Sequence, residues 1–116
     1  MQNALGREAV SIVQNGIADP KDVDDAVKYG FGMRLGSIGP IEQIDAIGAD
    51  LCINIGDYLF PHLEDSKEQL PLLREKGRKN EVGVKTDGIG IQTWSEEDMK
   101  EYNERTIHDL IKVGKA

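Results

Sequence analysis

The feature that most constrains this chain is the way glycines and prolines punctuate an apolar repeat of helical period. Leu5, Ala9, Ile12 and Val13 fall on one face of a helix, and Asn15-Gly16 supplies a left-handed stop, so a first helix is expected over roughly 2–15. Asp19 has the chemistry of an N-cap, Pro20 suits the first helical position, and Ala18 and Val23 can staple the cap, giving a second helix over 20–29 that ends at Gly30. Pro40 opens "PIEQIDAIG", with Ile41, Ile44 and Ile47 expected inward and Gly48 closing the helix. Asp50 is the expected cap of a fourth helix with Leu51, Ile55, Tyr58 and Leu59 on one side, ended by Pro61. Pro71 and Gly77 bracket a short fifth helix. Ser95 caps the last, with Glu96, Glu97 and Asp98 in its first turn and its apolar positions gathered toward Ile107, Leu110, Ile111 and Val113. The chain therefore reads as all-α. The polar, proline-bounded stretch "HLEDSKEQLP" is the expected mobile surface loop.

A length of 116 residues suits one domain, 1–116, and is too short for a cofactor domain plus a substrate domain. The net charge of −7 argues against a nucleic-acid partner, because phosphate backbones are held by clustered Lys and Arg. The one dense cationic run, "REKGRKN", reads as a solvated helix end. Cys52 is the sole cysteine, which excludes an intrachain disulfide and suits a reducing compartment; in "DLCINI" it reads as a small core residue. No apolar run approaches the roughly 20 residues of a membrane span, and "MQNALGREAV" lacks the pattern of a cleavable signal, so the expectation is a cytoplasmic protein with no membrane partner.

The stretch "GFGMRLGSIGP" invites a phosphate-loop reading, which fails on spacing. Gly30, Gly32 and Gly36 give G-x-G-x-x-x-G, no Lys-Ser or Lys-Thr follows, and the preceding "DPKDVDDAVKY" is no buried strand. His62 and His108 stand in no metal spacing, and the Asp19–Asp25 run lacks the order of a calcium loop. Glu42 and Asp45 share one side of the third helix, where they either form a polar cluster or anchor the glycine stretch by accepting from its amides. No complete catalytic set emerges from composition and spacing.

Taken together, "MQNALGREAVSIVQNGIADPKDVDDAVKYGFGMR", with its R-E-A helix and its G-x-A-x-x-x-D-[IV]-D turn, the G-P-[FIL]-E at Gly39-Pro40, and the later "GVKTDGIGIQTW" resemble the C-terminal domain of the L-3-hydroxyacyl-CoA dehydrogenase family. The glycine stretch is most similar to the branch containing L-gulonate 3-dehydrogenase (lambda-crystallin). The later segment departs from the family pattern in an extra residue at Asp87 and in Ile91 and Gln92 where aromatics are usual.

The resemblance implies the multi-helical fold of the 6-phosphogluconate dehydrogenase C-terminal-like type. It also implies a part in NAD-dependent oxidation of a 3-hydroxy acid or hydroxyacyl-CoA, as in fatty acid metabolism, with this domain walling the substrate site and forming a homodimer. The family's catalytic histidine, glutamate and serine lie on a dinucleotide-binding domain with no counterpart here, and its catalytic asparagine would fall just before Met1, so Asn3 is not that residue. The implied substrate-binding residues are Arg34, Gly32 and Met33, with no catalytic, cofactor or metal ligand in the chain. Arg34 either pairs with Glu42 or Asp45 at the surface or offers its planar fork of donors to a substrate carboxylate. The rival reading is a free-standing helical dimerisation module without catalysis. Dimerisation is expected through the first helix and the cluster around Ile107, Leu110 and Ile111. Because no dinucleotide fingerprint is present, calorimetric titration of this chain with NADH should show no binding and the chain alone should have no dehydrogenase activity; micromolar affinity would contradict this reading.

Overall fold

The computed structural model describes residues 1–83 and 88–114, with side chains as far as Thr106 in the last helix. Asp87 and the Ile107, Leu110 and Ile111 cluster therefore lie outside the described side chains. Two compact units are distinguished, Met1–Leu70 and Pro71–Ala116. The first contains α1 (Gln2–Gln14), α2 (Pro20–Tyr29), a 3-10 turn over Phe31–Arg34, α3 (Pro40–Ile47), α4 (Ala49–Leu59) and a second 3-10 turn over Phe60–His62. The second contains α5 (Pro71–Arg78) and α6 (Glu96–Gly114), with isolated bridges pairing Gly83 to Ile89 and Ile89 to Thr93 between them. The all-α reading holds. No helix of the described residues is long and apolar enough to cross a membrane.

Most boundaries follow the punctuation, and the exceptions have local causes. After α1, Gly16 takes φ 70° and the Ile17 amide reaches back to the Ile12 carbonyl at 3.0 Å, a left-handed stop as the sequence suggests. Asp19 occupies the cap of α2 but makes no side-chain cap bond. Asp50 is not the cap of α4. Gly48, at φ 96°, ends α3 and begins α4 at once, so Asp50 falls in the first turn instead. Gly77 does not stop α5 either; Asn80 does, at φ 57°, with the Glu81 amide closing onto the Lys76 carbonyl at 2.9 Å. Asparagine tolerates the left-handed region better than most residues, which is why the stop slips three positions. Ser95 caps α6 as expected: its hydroxyl accepts from the Asp98 amide at 3.0 Å, while Asp98 accepts from the Ser95 amide at 3.1 Å.

The stretch expected to be a mobile loop is tied to α1. Glu64 accepts from the Ser11 hydroxyl at 2.9 Å and from the Ser66 hydroxyl at 2.6 Å, and its own amide donates to Glu8 at 2.8 Å. Arg7 donates to the Ser66 carbonyl at 3.1 Å. Glu64 and Ser66 serve as tertiary partners, while Asp65, Lys67, Glu68 and Gln69 stay exposed as the polar composition suggested. The Ser66 hydroxyl first, then the Ser11 hydroxyl and the Ser66 amide, hold the Glu64 carboxyl below the usual range for a glutamate.

Expectations about the core also need correction. Ile41, Ile44 and Ile47 do not face inward; they are 70%, 40% and 40% exposed. Leu51, Ile55, Tyr58 and Leu59 of α4 are exposed as well. Among the described residues Leu70 is the one buried large apolar side chain, and Ala9, Ile12 and Val13 of α1 are half-buried, so the amphipathic pattern is present but only partly covered.

The glycines test this account of the local fold. A Cβ at Gly32 would collide with the Val27 carbonyl oxygen, whereas one at Gly36 would meet nothing within 4 Å. Gly32→Ala should lower thermal stability by about 1–3 kcal/mol, as overpacking does. Gly36→Ala should stay within about 0.5 kcal/mol of the parent. Equal unfolding midpoints for the two variants would contradict the close approach.

Candidate functional site

The end of α2 builds the site. Gly30 and Gly32 lie against the carbonyl oxygens of Ala26 and Val27, an approach that any side chain would block, and this seats the Phe31–Arg34 turn on the helix. The Arg34 carbonyl then accepts two amides, from Ser37 at 2.9 Å and Ile38 at 2.7 Å, which winds the chain tightly toward Pro40. Glu42 secures the far end by accepting from the Gly39 amide at 3.0 Å, the anchoring role expected of it.

An open cleft of about 800 Å³ lies beside this turn, within the first unit. One side is formed by Met1, Gln2, Ala4 and Leu5 at the start of α1, and another by Phe31, Arg34, Leu35 and Ile38. Pro40 and Gln43 of α3 complete it. Arg34 is the one cationic side chain in its lining, beside the amino group of Met1, with the amides of Gln2 and Gln43 as further polar groups among apolar walls. Among the described residues Arg34 makes no ion pair with Glu42 or Asp45, so the surface-pair alternative is not the geometry found. A guanidinium in a largely apolar cleft is suited to a carboxylate or phosphate.

Gly32 and Met33, grouped with Arg34 at the sequence level, do not line the cleft. Met33 is 69% exposed, and Gly32 acts through its closeness to α2. What sequence reasoning missed is the second wall: Gln2 and Leu5 carry no signal connecting them to residues thirty positions on. The R-E-A motif did mark Arg7 and Glu8, but their partners at 64 and 66 are not deducible from spacing.

Other chemistry is scarce. No group of three or more His, Cys, Asp or Glu able to hold a metal occurs among the described residues. The cations of "REKGRKN" are mostly neutralised, with Lys76 on Glu81 at 2.9 Å, Arg78 on Glu75 at 2.6 Å and Lys79 on Glu75 at 3.5 Å. These contacts lower the Glu75 and Glu81 carboxyls, through Arg78 and Lys76 respectively. In the second unit a pocket of about 390 Å³ lies between α5 and the bridged segment, walled by Leu73, Ile91 and Trp94. Trp94 meets Tyr102 edge-on at 5.5 Å, and its amide donates to the Gly88 carbonyl at 2.7 Å.

Residues 1–93 match the C-terminal domain of 3-hydroxyacyl-CoA dehydrogenase, and the chain belongs to that family. Its sequence is 31% identical over 110 residues to the 5-formyl-3-hydroxy-2-methylpyridine 4-carboxylate 5-dehydrogenase of Mesorhizobium japonicum, covering 95% of this chain and 35% of that protein. It is 34% identical over 90 residues to a probable 3-hydroxybutyryl-CoA dehydrogenase of Bacillus subtilis, covering 77% of this chain and 30% of the relative. The crystal structure of a 5-formyl-3-hydroxy-2-methylpyridine 4-carboxylic acid 5-dehydrogenase, described as an NAD+ dependent dismutase, superposes with a TM-score of 0.86 at 29% identity. That match covers 97% of this chain and 36% of the other. The chain thus spans about a third of the length of these relatives. Its helices are those of the family's C-terminal domain. A pyridine carboxylate dehydrogenase and a probable 3-hydroxybutyryl-CoA dehydrogenase stand among its relatives, which place it in the family without singling out the L-gulonate branch.

Proposed function

We propose that this chain is the substrate-facing and dimerisation domain of an NAD-dependent dehydrogenase acting on a small hydroxy compound that carries a carboxylate. The observation that carries this reading is Arg34, free of carboxylate partners and lining an apolar cleft. Its guanidinium would orient the anionic end of a hydroxy acid, with Gln2 and Gln43 as secondary donors and Phe31, Leu35 and Ile38 packing the carbon skeleton. A free acid fits this arrangement better than the neutral thioester of an acyl-CoA. The L-gulonate-like similarity of the glycine stretch and the pyridine 4-carboxylate in the name of the Mesorhizobium relative both lean the same way. The nicotinamide, the base and the hydride step would belong to a dinucleotide-binding domain, leaving this chain to bind and orient. The setting would be the cytoplasm.

In the full-length enzyme carrying this domain, Arg34→Ala should lower kcat/KM for 3-hydroxybutyrate or a related hydroxy acid by about 2–4 kcal/mol, on the order of 30- to 1000-fold, with less effect on 3-hydroxybutyryl-CoA. Unchanged kcat/KM for every carboxylate tried would return Arg34 to the surface.

Homodimerisation is supported by the exposed side chains of α3, α4 and the turn that follows, where Ile41, Ile53, Tyr58 and Phe60 each exceed half exposure at 70%, 60%, 74% and 73%. Light scattering should give twice the monomer mass for this chain, and Ile44→Lys with Leu51→Lys should give the monomer. A monomer persisting at high micromolar concentration would contradict the dimer.

A further inference from the structure

We propose that the Glu64 clasp sets the width of the Arg34 cleft. The cleft is bounded by two groups of elements. In the first group α1 packs on α2 and the Phe31–Arg34 turn packs on α2; in the second α3 packs on α4 and the Phe60–His62 turn packs on α4. Among the described residues no helix pairing of comparable extent joins the first group to the second. They are joined covalently through residues 35–39, and by the hydrogen bonds between α1 and the segment that follows the Phe60–His62 turn.

The cleft draws on both groups, with Ala4, Leu5 and Arg34 from the first and Gln43 from the second. Apolar packing near the mouth is thin, since Leu5 is 44%, Phe31 42% and Leu35 50% exposed. The polar tie therefore has little competition in fixing how far the groups stand apart. Its anchors Arg7, Glu8 and Ser11 stand three, four and seven residues beyond Ala4 on the same side of α1, so a stiff helix carries their position to the cleft wall. Ser11 is buried at 8% exposure, and both Glu64 oxygens are engaged, one by Ser11 and the other by Ser66. The Arg7 Nε is buried without a hydrogen-bond partner, which leaves that guanidinium dependent on its single bond to the Ser66 carbonyl and on the nearby Glu64 charge.

This inference concerns the cleft's geometry and is independent of what the cleft binds, so its test needs no substrate. Spin labels at Ala4→Cys and Gln43→Cys, in a Cys52→Ser background, report the separation across the cleft by dipolar electron paramagnetic resonance. With Glu64 intact the distribution should be narrow. Glu64→Ala should broaden it and shift it to longer separations with the helical circular dichroism unchanged, and Glu64→Gln, which keeps one acceptor oxygen, should fall between. Ser11→Ala deletes one bond of the clasp and should give a smaller change in the same direction. An unchanged distribution in whichever of Glu64→Ala and Ser11→Ala retains its helices overturns the proposal. Loss of helical signal in both overturns it equally, because a tie that only sets a width is not needed for the helices themselves.

Discussion

The arrangement of the site depends on a backbone contact that only glycine permits. Gly30 and Gly32 let the chain leaving α2 fold back onto the carbonyls of Ala26 and Val27, and the 3-10 turn that results carries Phe31 and Arg34 to the cleft. A side chain at either glycine would push the turn off the helix and take the guanidinium with it. The glycine stretch thus resembles a phosphate loop in composition while working differently. Its amides are spent on internal bonds, such as those of Ser37 and Ile38 to Arg34, and the positive charge is supplied by a side chain.

A second constraint is the shortage of buried apolar surface. A helix that is apolar on several faces normally sits inside a larger core, and α4, with Leu51, Ile53, Ile55, Tyr58 and Leu59 all exposed, is such a helix without its covering. Leaving these side chains in water forgoes about 25 cal/mol for each Å² that burial would remove from solvent. The chain spans about a third of its relatives' length, and this apolar surface stands exposed on it. Polar ties such as the Glu64 clasp consequently carry more of the tertiary organisation of the first unit than they would in a domain with a dense core.

Much of this was legible in the residues. The all-α architecture follows from Pro20, Pro40 and Pro71 at helix starts and Gly16 and Gly48 at stops, because proline's fixed φ and glycine's access to positive φ act locally. The misreadings share a cause. Asp50 and Gly77 were given roles that Gly48 and Asn80 perform, since several adjacent residues could each end or begin a helix and only the three-dimensional path chooses. Burial was misjudged at Ile41, Ile44 and Ile47 because periodicity shows which face is apolar and says nothing about what covers it. The clasp was invisible because its partners are 53 to 59 positions apart. Arg34 could be singled out as the lone cation of the glycine stretch, whereas its companions Gln2 and Gln43 carry no local mark.

Family membership gives the cleft a chemical context without fixing its ligand, and the relatives' names cover both a pyridine carboxylate and acyl-CoA compounds. The decisive measurement is a crystal structure of the full-length enzyme with NADH and a bound hydroxy acid. The account expects the ligand's carboxylate within hydrogen-bonding distance of the Arg34 guanidinium, with its carbon skeleton against Phe31 and Leu35. A ligand bound productively at the nicotinamide with no contact to Arg34 or to the start of α1 would contradict it.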